Sequence, residues 1–131
     1  PSNKALVFLE NHDTQRSGGV TWDAWQRQRL AYVFMLAEPY GYPMVMSSYA
    51  FDQASGASRD AGPPAGNGTA AGQSCSADIP NTPDGQWVCE HRDPLLRAMI
   101  RFRAATAGHH EWTLESSSPQ DLNAGVVVRT T

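Results

Sequence analysis

The order strand, helix, strand is the feature of this sequence that most restricts its fold. Residues 5–10 form a continuous apolar run, which is typical of a strand buried on both faces of a parallel sheet. Thr21 is a suitable cap for a helix over 22–36, and Pro39 ends that helix. The apolar segment at 44–49 predicts a second strand. Because parallel neighbours need a long crossover, this order indicates a βαβ unit.

A second helix is predicted late in the chain, after a loop over 51–86 that is rich in Gly, Ala, Ser and Pro. Asp93 followed by Pro94 is a typical helix start, and Gly108 is a suitable stop. The apolar positions predicted to be buried in this helix are Leu95, Leu96, Met99, Ile100 and Phe102.

The last segment changes character, since the turn "NAG" and the strand-like "VVVRT" have no helix after them. We therefore predict an α/β part over 1–108 and the beginning of an antiparallel β-domain over 109–131. Two parallel strands with helices are not a stable domain alone, because their edges need neighbours. With no initiator Met and no signal-peptide pattern, the chain is expected to start inside a longer protein.

Composition excludes several classes of partner. The 131 residues are 40% hydrophobic and 18% charged, which is enough apolar material for a core. The net charge of −3 provides no basic surface, so nucleic acid is not an expected partner. No apolar run reaches the roughly 18 residues that indicate a transmembrane helix, so no membrane partner is expected either.

Cys75 and Cys89 flank a turn-rich segment, and their spacing does not fit a CxxC metal or redox motif. A disulfide between them would stabilise the fold by about 3 kcal/mol in the chain-entropy model and would favour a secreted protein. Two reduced core cysteines are the alternative. Asn67 begins a glycosylation sequon, "NGT", on the long loop.

Polar residues follow the first predicted strand at once: Asn11, His12 and Asp13. Function in parallel sheets and barrels concentrates at the carboxyl ends of strands. An aspartate there can hydrogen-bond substrate hydroxyls and stabilise positive charge, and a neutral histidine can donate a hydrogen bond. The alternative is an aspartate that caps a turn beside a surface histidine, and the residues alone leave both open.

The other candidates have structural explanations. Glu10 lies about 10 Å along the strand from Asp13 and is interpreted as structural. His109 and His110 follow a helix end, where interaction with the helix dipole is favoured over metal ligation. His91 adjoins the cysteine pair, so local structural hydrogen bonding is favoured over catalysis. The segment "VMSSY" provides hydroxyl groups at the second strand end. No metal site is predicted.

Several segments together resemble α-amylases of glycoside hydrolase family 13. "VFLENHDTQR" is similar to their fourth conserved block, F-V-D-N-H-D-x-Q-R. In the same order, "YVFMLAEPYGYPMVMSSYAF", "GPPAGNG", "WVCEHRDPLLRAMIRFRAAT" and "NAGVVVRTT" resemble later parts of the animal-type enzymes. The resemblance implies a partial (β/α)8 TIM barrel, with 5–10 as its seventh strand and 44–49 as its eighth, followed by the β-domain.

The resemblance also implies an activity and its residues. Asp13 matches a catalytic carboxylate that hydrogen-bonds the sugar where cleavage occurs, and His12 matches a substrate-binding histidine. The implied protein is a secreted retaining α-amylase that acts on starch, glycogen or malto-oligosaccharides. In the family, the nucleophile, the acid/base and the calcium ligands come from parts that do not match this chain. The chain alone is therefore expected to be inactive.

Two departures from the family pattern bear on the site. Asn11 matches a chloride ligand, but Met44 stands where chloride-activated members have a basic residue, so chloride activation is not expected. The loop "SGGV" is shorter than the usual glycine-rich loop. A non-catalytic carbohydrate-binding protein with amylase architecture, and a related transglycosylase or α-glucosidase, are the competing hypotheses.

Overall fold

A computed structural model describes residues 4–52, 62–64, 74–108, 112–116 and 125–129. Its strands and α-helices are, in chain order, β1 (Leu6–Val7), α1 (Trp25–Ala37), β2 (Tyr42–Pro43), α2 (Pro94–Ala105), β3 (Trp112–Ser116) and β4 (Gly125–Arg129). Short 3-10 helices form at Thr14–Arg16, Trp22–Ala24, Ile79–Asn81 and Glu90–Arg92. The predictions made for Asn67, His109, His110 and the "NAG" turn lie outside the described residues.

The two strands on either side of α1 pair in parallel, which confirms the strand, helix, strand order. Leu6 stands opposite Tyr42, and Val7 stands opposite Pro43. The Tyr42 amide donates to the Ala5 carbonyl at 2.8 Å, and the Met44 amide donates to the Val7 carbonyl at 2.8 Å. The result is an unclosed two-stranded sheet.

Both strands are shorter than predicted, and the second is displaced. Pairing covers Leu6–Val7 rather than 5–10, and Tyr42–Pro43 rather than 44–49. Pro43 has no amide hydrogen and cannot donate to the ladder. The ladder instead uses the amides on either side of Pro43, because alternate amides of a strand point to the same edge.

Gly41 is required where the chain enters β2. Its φ of +70° lies in the left-handed region that glycine adopts without strain. A Cβ at this position would lie 2.9 Å from Val7 Cγ1 and 3.0 Å from the Ala5 carbonyl oxygen. Any side chain here would push β2 away from β1.

The predicted helix over 22–36 begins with a 3-10 turn and becomes α-helical only at Trp25. Its buried positions recur at helical spacing and form one face: Trp25, Gln28, Tyr32, Met35 and Leu36. Leu30 and Phe34 belong to the same apolar pattern but are exposed. This face of α1 packs against α2, with Leu96 at the centre of the shared core.

Asp93 caps α2 as predicted, and its carboxylate accepts the Leu95 amide at 2.9 Å and the Leu96 amide at 3.1 Å. Burial of Leu96 is confirmed. Burial of Leu95 and Ile100 was predicted wrongly, since both are exposed. Only one side of α2 faces α1, and no other described element covers the opposite side.

The prediction that the first strand is buried on both faces is also wrong for the described residues. Leu6 and Phe8 are exposed, whereas Val7 and Leu9 pack against the core shared by α1 and α2. Alternate residues of a strand point to opposite faces, so one face of β1 is covered and the other is open.

β3 and β4 pair antiparallel, from Trp112 opposite Arg129 to Ser116 opposite Gly125. This confirms the strand predicted at "VVVRT"; its partner strand was not predicted. Neither helix in the described part of the chain has the length and apolar character needed to cross a membrane.

Candidate functional site

The segment after β1 is organised by the side chain of Asn11. Its Oδ1 accepts the Asp13 amide and the Thr14 amide, both at 2.9 Å. In return, the Asn11 amide donates to the Thr14 hydroxyl at 2.8 Å. These bonds form an Asx-type turn that leads into the 3-10 helix Thr14–Arg16. The turn fixes the backbone of His12 and Asp13.

His12 and Asp13 stand outside this turn, in solvent. Each side chain is 79% exposed, and His12 Nε2 lies 3.5 Å from Asp13 Oδ2. An exposed pair of this kind contributes little to stability. Both side chains are therefore accessible to a ligand, and the turn that presents them does not depend on their side chains.

A cleft of about 370 Å³ opens beside this segment, on the uncovered face of β1. Asn11, His12 and Met44 meet there, although Met44 comes from the strand after α1. Its other lining residues are Leu6, Phe8, Glu10 and Met46. Asp13 is not among the lining residues. Since Met44 is uncharged, no described cation lines the cleft to hold an anion beside Asn11.

Glu10 is buried directly beneath the segment and has the structural role predicted for it. Its Oε1 accepts hydrogen bonds from Ser48 Oγ at 2.8 Å, from Tyr32 Oη at 3.3 Å and from Gln28 Nε2. Gln28 and Tyr32 are on α1, and Ser48 lies beyond β2. The end of β1 is thus held to both neighbouring elements.

Glu90 is a second buried carboxyl in the same network, and the sequence did not indicate it. The Ser48 amide donates to Glu90 Oε2 at 2.9 Å. Burial raises the pKa of Glu10 to about 7, and Glu90 adds to the rise. Burial also raises the pKa of Glu90. The sequence feature connected with this network is the hydroxyl cluster of "VMSSY", because Ser48 donates hydrogen bonds to both carboxyl groups.

Other polar groups support the loop around the segment. Arg16 donates a hydrogen bond to the Tyr49 hydroxyl. Gln15 is fully buried, and neither atom of its amide has a hydrogen-bond partner among the described residues. The rings of Tyr49 and Trp87 pack edge to face, with their centroids 5.9 Å apart. The 3-10 helix Thr14–Arg16 is therefore bonded to the segment beyond β2.

The disulfide predicted between Cys75 and Cys89 is present, with a Cα–Cα distance of 5.5 Å. Cys89 has a φ of 60°, in the left-handed region that L-residues seldom adopt. The bridge lies immediately before Glu90 and anchors the end of the long loop. The alternative of two reduced cysteines is not observed.

The remaining candidates do not join this site. Burial lowers the pKa of His91, and the neighbouring Arg92 lowers it further. His91 instead lines a separate cleft between β2 and α2. Within the described ranges, no group of three or more His, Cys, Asp and Glu side chains is arranged to hold a metal ion.

The chain is similar in sequence to known α-amylases. It is 40% identical over 119 residues to pancreatic alpha-amylase 2a5 of Mus musculus, and 41% identical over 119 residues to pancreatic alpha-amylase of Sus scrofa. An alpha-amylase of Aeromonas hydrophila is 40% identical over 112 residues. Each match covers 82% of this chain.

The chain spans about a quarter of the length of these relatives: 23% of each of the two pancreatic enzymes and 22% of the Aeromonas hydrophila enzyme. No protein-family model matches the chain. The relatives come from both animals and a bacterium and agree on one activity in their names. On this similarity, the chain belongs to the α-amylases of glycoside hydrolase family 13, as a part of such a protein.

Proposed function

We propose that this chain is part of a secreted, retaining α-amylase that hydrolyses internal α-1,4-glucosidic bonds of starch, glycogen or malto-oligosaccharides. The observation that carries the proposal is the exposed Asp13 at the end of β1, in a chain with α-amylase relatives along most of its length. The disulfide supports secretion, because such bonds persist in oxidising compartments.

The role proposed for Asp13 follows from the chemistry of glycoside cleavage. The reaction passes through an oxocarbenium-like transition state, and hydrogen bonds to sugar hydroxyls that strengthen in that state contribute several kcal/mol. Asp13 is solvent-accessible and its backbone is fixed by Asn11, so its carboxylate can accept such a bond without reorganisation. His12, beside it, can donate a hydrogen bond to the same sugar.

Retention requires two further groups, a nucleophilic carboxylate and an acid/base about 5–5.5 Å apart. The family resemblance assigns both to barrel strands other than the two of this chain, with 1–108 as the end of the barrel and 109–131 as the start of the β-domain. We therefore propose that the isolated chain does not hydrolyse starch. The resemblance also places the calcium ligands outside this chain. The role proposed for Asp13 does not depend on calcium.

The open cleft bears on the anion that α-amylases of the animal type bind. Asn11 and Met44 both line it, and the thioether of Met44 cannot replace a cation. We propose that the full-length enzyme works without chloride, because the described residues that line the cleft include no Lys or Arg to offset the desolvation of an anion.

The proposed function is tested by Asp13→Asn in the full-length protein, with starch as substrate. Loss of several kcal/mol of transition-state stabilisation predicts a fall in kcat/KM of about a hundredfold or more. Asp84→Asn, at an exposed turn, is the matched control and should leave kcat/KM unchanged. Equal activity of the Asp13→Asn variant and wild type would contradict the role of Asp13, and a wild-type protein without starch hydrolysis would contradict the function.

A further inference from the structure

Two buried carboxyl groups, Glu10 and Glu90, lie next to the site and have no part in the role proposed for Asp13. We propose that Glu10 and Glu90 are positioning residues, which share one proton across Ser48 and thereby hold the Asn11–Asp13 segment in place for the sugar. This inference rests on the proposed function for its substrate, but the pair itself is defined by burial and hydrogen bonds.

Two negative charges cannot be stable in this environment. Glu10 is 2% exposed and Glu90 is fully buried. The groups that donate to Glu10 are neutral: Gln28, Tyr32 and Ser48. No Lys or Arg among the described residues forms an ion pair with either carboxyl group. Buried carboxylates without a cation repel each other and are poorly solvated, so one of them retains a proton.

The hydrogen bonds leave room for that proton. All three donors to Glu10 converge on Oε1, and the Ser48 amide uses Oε2 of Glu90. The other oxygens, Glu10 Oε2 and Glu90 Oε1, are buried and have no hydrogen-bond partner in the described part of the chain. A proton on either oxygen displaces no donor, which makes the singly charged pair compatible with the observed network.

The pair connects the site to three parts of the fold, namely α1, the segment beyond β2 and the 3-10 helix before α2. Glu10 directly precedes Asn11, whose side chain organises the turn that presents His12 and Asp13. Ser48 belongs to the segment beyond β2, and Glu90 begins the 3-10 helix before α2. A second negative charge would drive Glu10 and Glu90 apart and break the Ser48 bridge. The displacement would reach Asn11 first, because it is the next residue.

This arrangement predicts a dependence on pH. The titratable groups that act on Glu10 are Glu90 and Tyr32, and burial raises the pKa of all three. Glu10 has an ordinary pKa of 4.5 and a folded value of about 7. Its contribution to folding is therefore fully present below pH 4.5 and is lost as the pH rises through about 7. Tyr32 remains neutral throughout this range.

The test is Glu10→Gln in the full-length protein, because glutamine keeps an acceptor oxygen for the three donors but cannot ionise. The unfolding midpoint, and kcat and KM for a malto-oligosaccharide, are measured from about pH 5 to 9. For wild type, KM rises up to about tenfold per pH unit above pH 7 as the competent form is depleted, with kcat changing less. The variant should show a flat midpoint and a smaller rise in KM. Glu38→Gln, the same substitution at the half-buried residue directly after α1, should follow wild type.

The outcomes separate the two proposals. A Glu10→Gln midpoint that keeps the wild-type pH dependence overturns the shared proton. A flattened midpoint with an unchanged KM profile overturns the positioning role. A flattened midpoint in a protein that hydrolyses no malto-oligosaccharide overturns the proposed function and leaves the proton-sharing pair supported. Glu90→Gln removes the same charge from the other partner, so its midpoint and KM are interpreted by the same criteria if Glu10→Gln does not fold.

Discussion

Glu10 and Asp13 lie three residues apart, and their surroundings differ in almost every respect. Glu10 is 2% exposed, accepts three hydrogen bonds and has its pKa raised by burial. The side chain of Asp13 is 79% exposed, and its Oδ2 lies 3.5 Å from His12 Nε2. One carboxyl group is committed to the fold, and the other is available to a ligand.

The difference shows how the backbone of a segment can be fixed while its side chains remain accessible to a ligand. The buried network holds Glu10, three residues after β1, to α1 and to the segment beyond β2. Asn11 follows Glu10 directly and organises the turn. Asp13 therefore needs no partner of its own to be held in place. In the proposed function, this exposed carboxylate is open to hydrogen bonds from substrate, which would favour differential binding of the transition state.

The largest expected effect is the difference between Glu10→Ala and Asp13→Ala in the free energy of unfolding of the full-length protein. Glu10→Ala leaves three buried donors without an acceptor, so the free energy of unfolding should fall by roughly 3 kcal/mol or more. Asp13→Ala should change it by less than about 0.5 kcal/mol. Urea unfolding at about pH 5, where Glu10 is protonated, measures both. Equal losses of unfolding free energy in the two variants would contradict the difference in structural role between Glu10 and Asp13.

The next effect is loss of the disulfide on the Glu90 side of the network. In the chain-entropy model, Cys75→Ser with Cys89→Ser lowers stability by about 3 kcal/mol. The kcat of protein that remains folded should not change, because the bridge does not touch Asn11–Asp13. The control is the effect of a reductant on the double variant, which reports any other disulfide of the full-length protein. A large fall in kcat in the folded double variant would show that the bridge acts on the site.

The smallest effect concerns chloride at the open cleft. Activity of the full-length enzyme should not respond to millimolar chloride, because Met44 provides no charge to hold the anion beside Asn11. Met44→Arg adds a cation to the cleft and should introduce a response. Clear chloride stimulation of the wild type would show that another group supplies the charge and that the cleft was misinterpreted.

Local features of this fold were predictable because they depend on neighbouring residues. The cap formed by Asp93 and Pro94, the strand, helix, strand order and the Cys75–Cys89 bridge all follow from short-range rules and are observed. The β2 boundary was wrong because the strand was placed on the segment after Pro43, whereas pairing occurs at Tyr42–Pro43, where an edge position tolerates the proline. Burial of Leu95 and Ile100 was wrong because helical periodicity cannot state how many sides of a helix are covered.

The candidate site shows the same division. Asn11, His12 and Asp13 were predicted as site residues because three polar residues follow the predicted strand directly. Glu90 could not be found in this way, since it lies 80 positions from Glu10 and the two are joined through hydrogen bonds of Ser48. Local patterns carry no information about such a long-range contact. The structural role predicted for Glu10 rested on its position along the strand, and its partners became evident only in three dimensions.

The most direct test of this account is a crystal structure of the full-length protein with a non-hydrolysable malto-oligosaccharide analogue. We predict that a carboxylate oxygen of Asp13 lies within about 3.2 Å of a sugar hydroxyl, with His12 beside it. Glu10 should remain buried beneath them, bound to Ser48 and without sugar contact. A sugar bound elsewhere, or one that contacts Glu10 while Asp13 remains in solvent, would contradict this account. It would show that Glu10 is not the supporting carboxyl group or that Asp13 is not the one that binds the sugar.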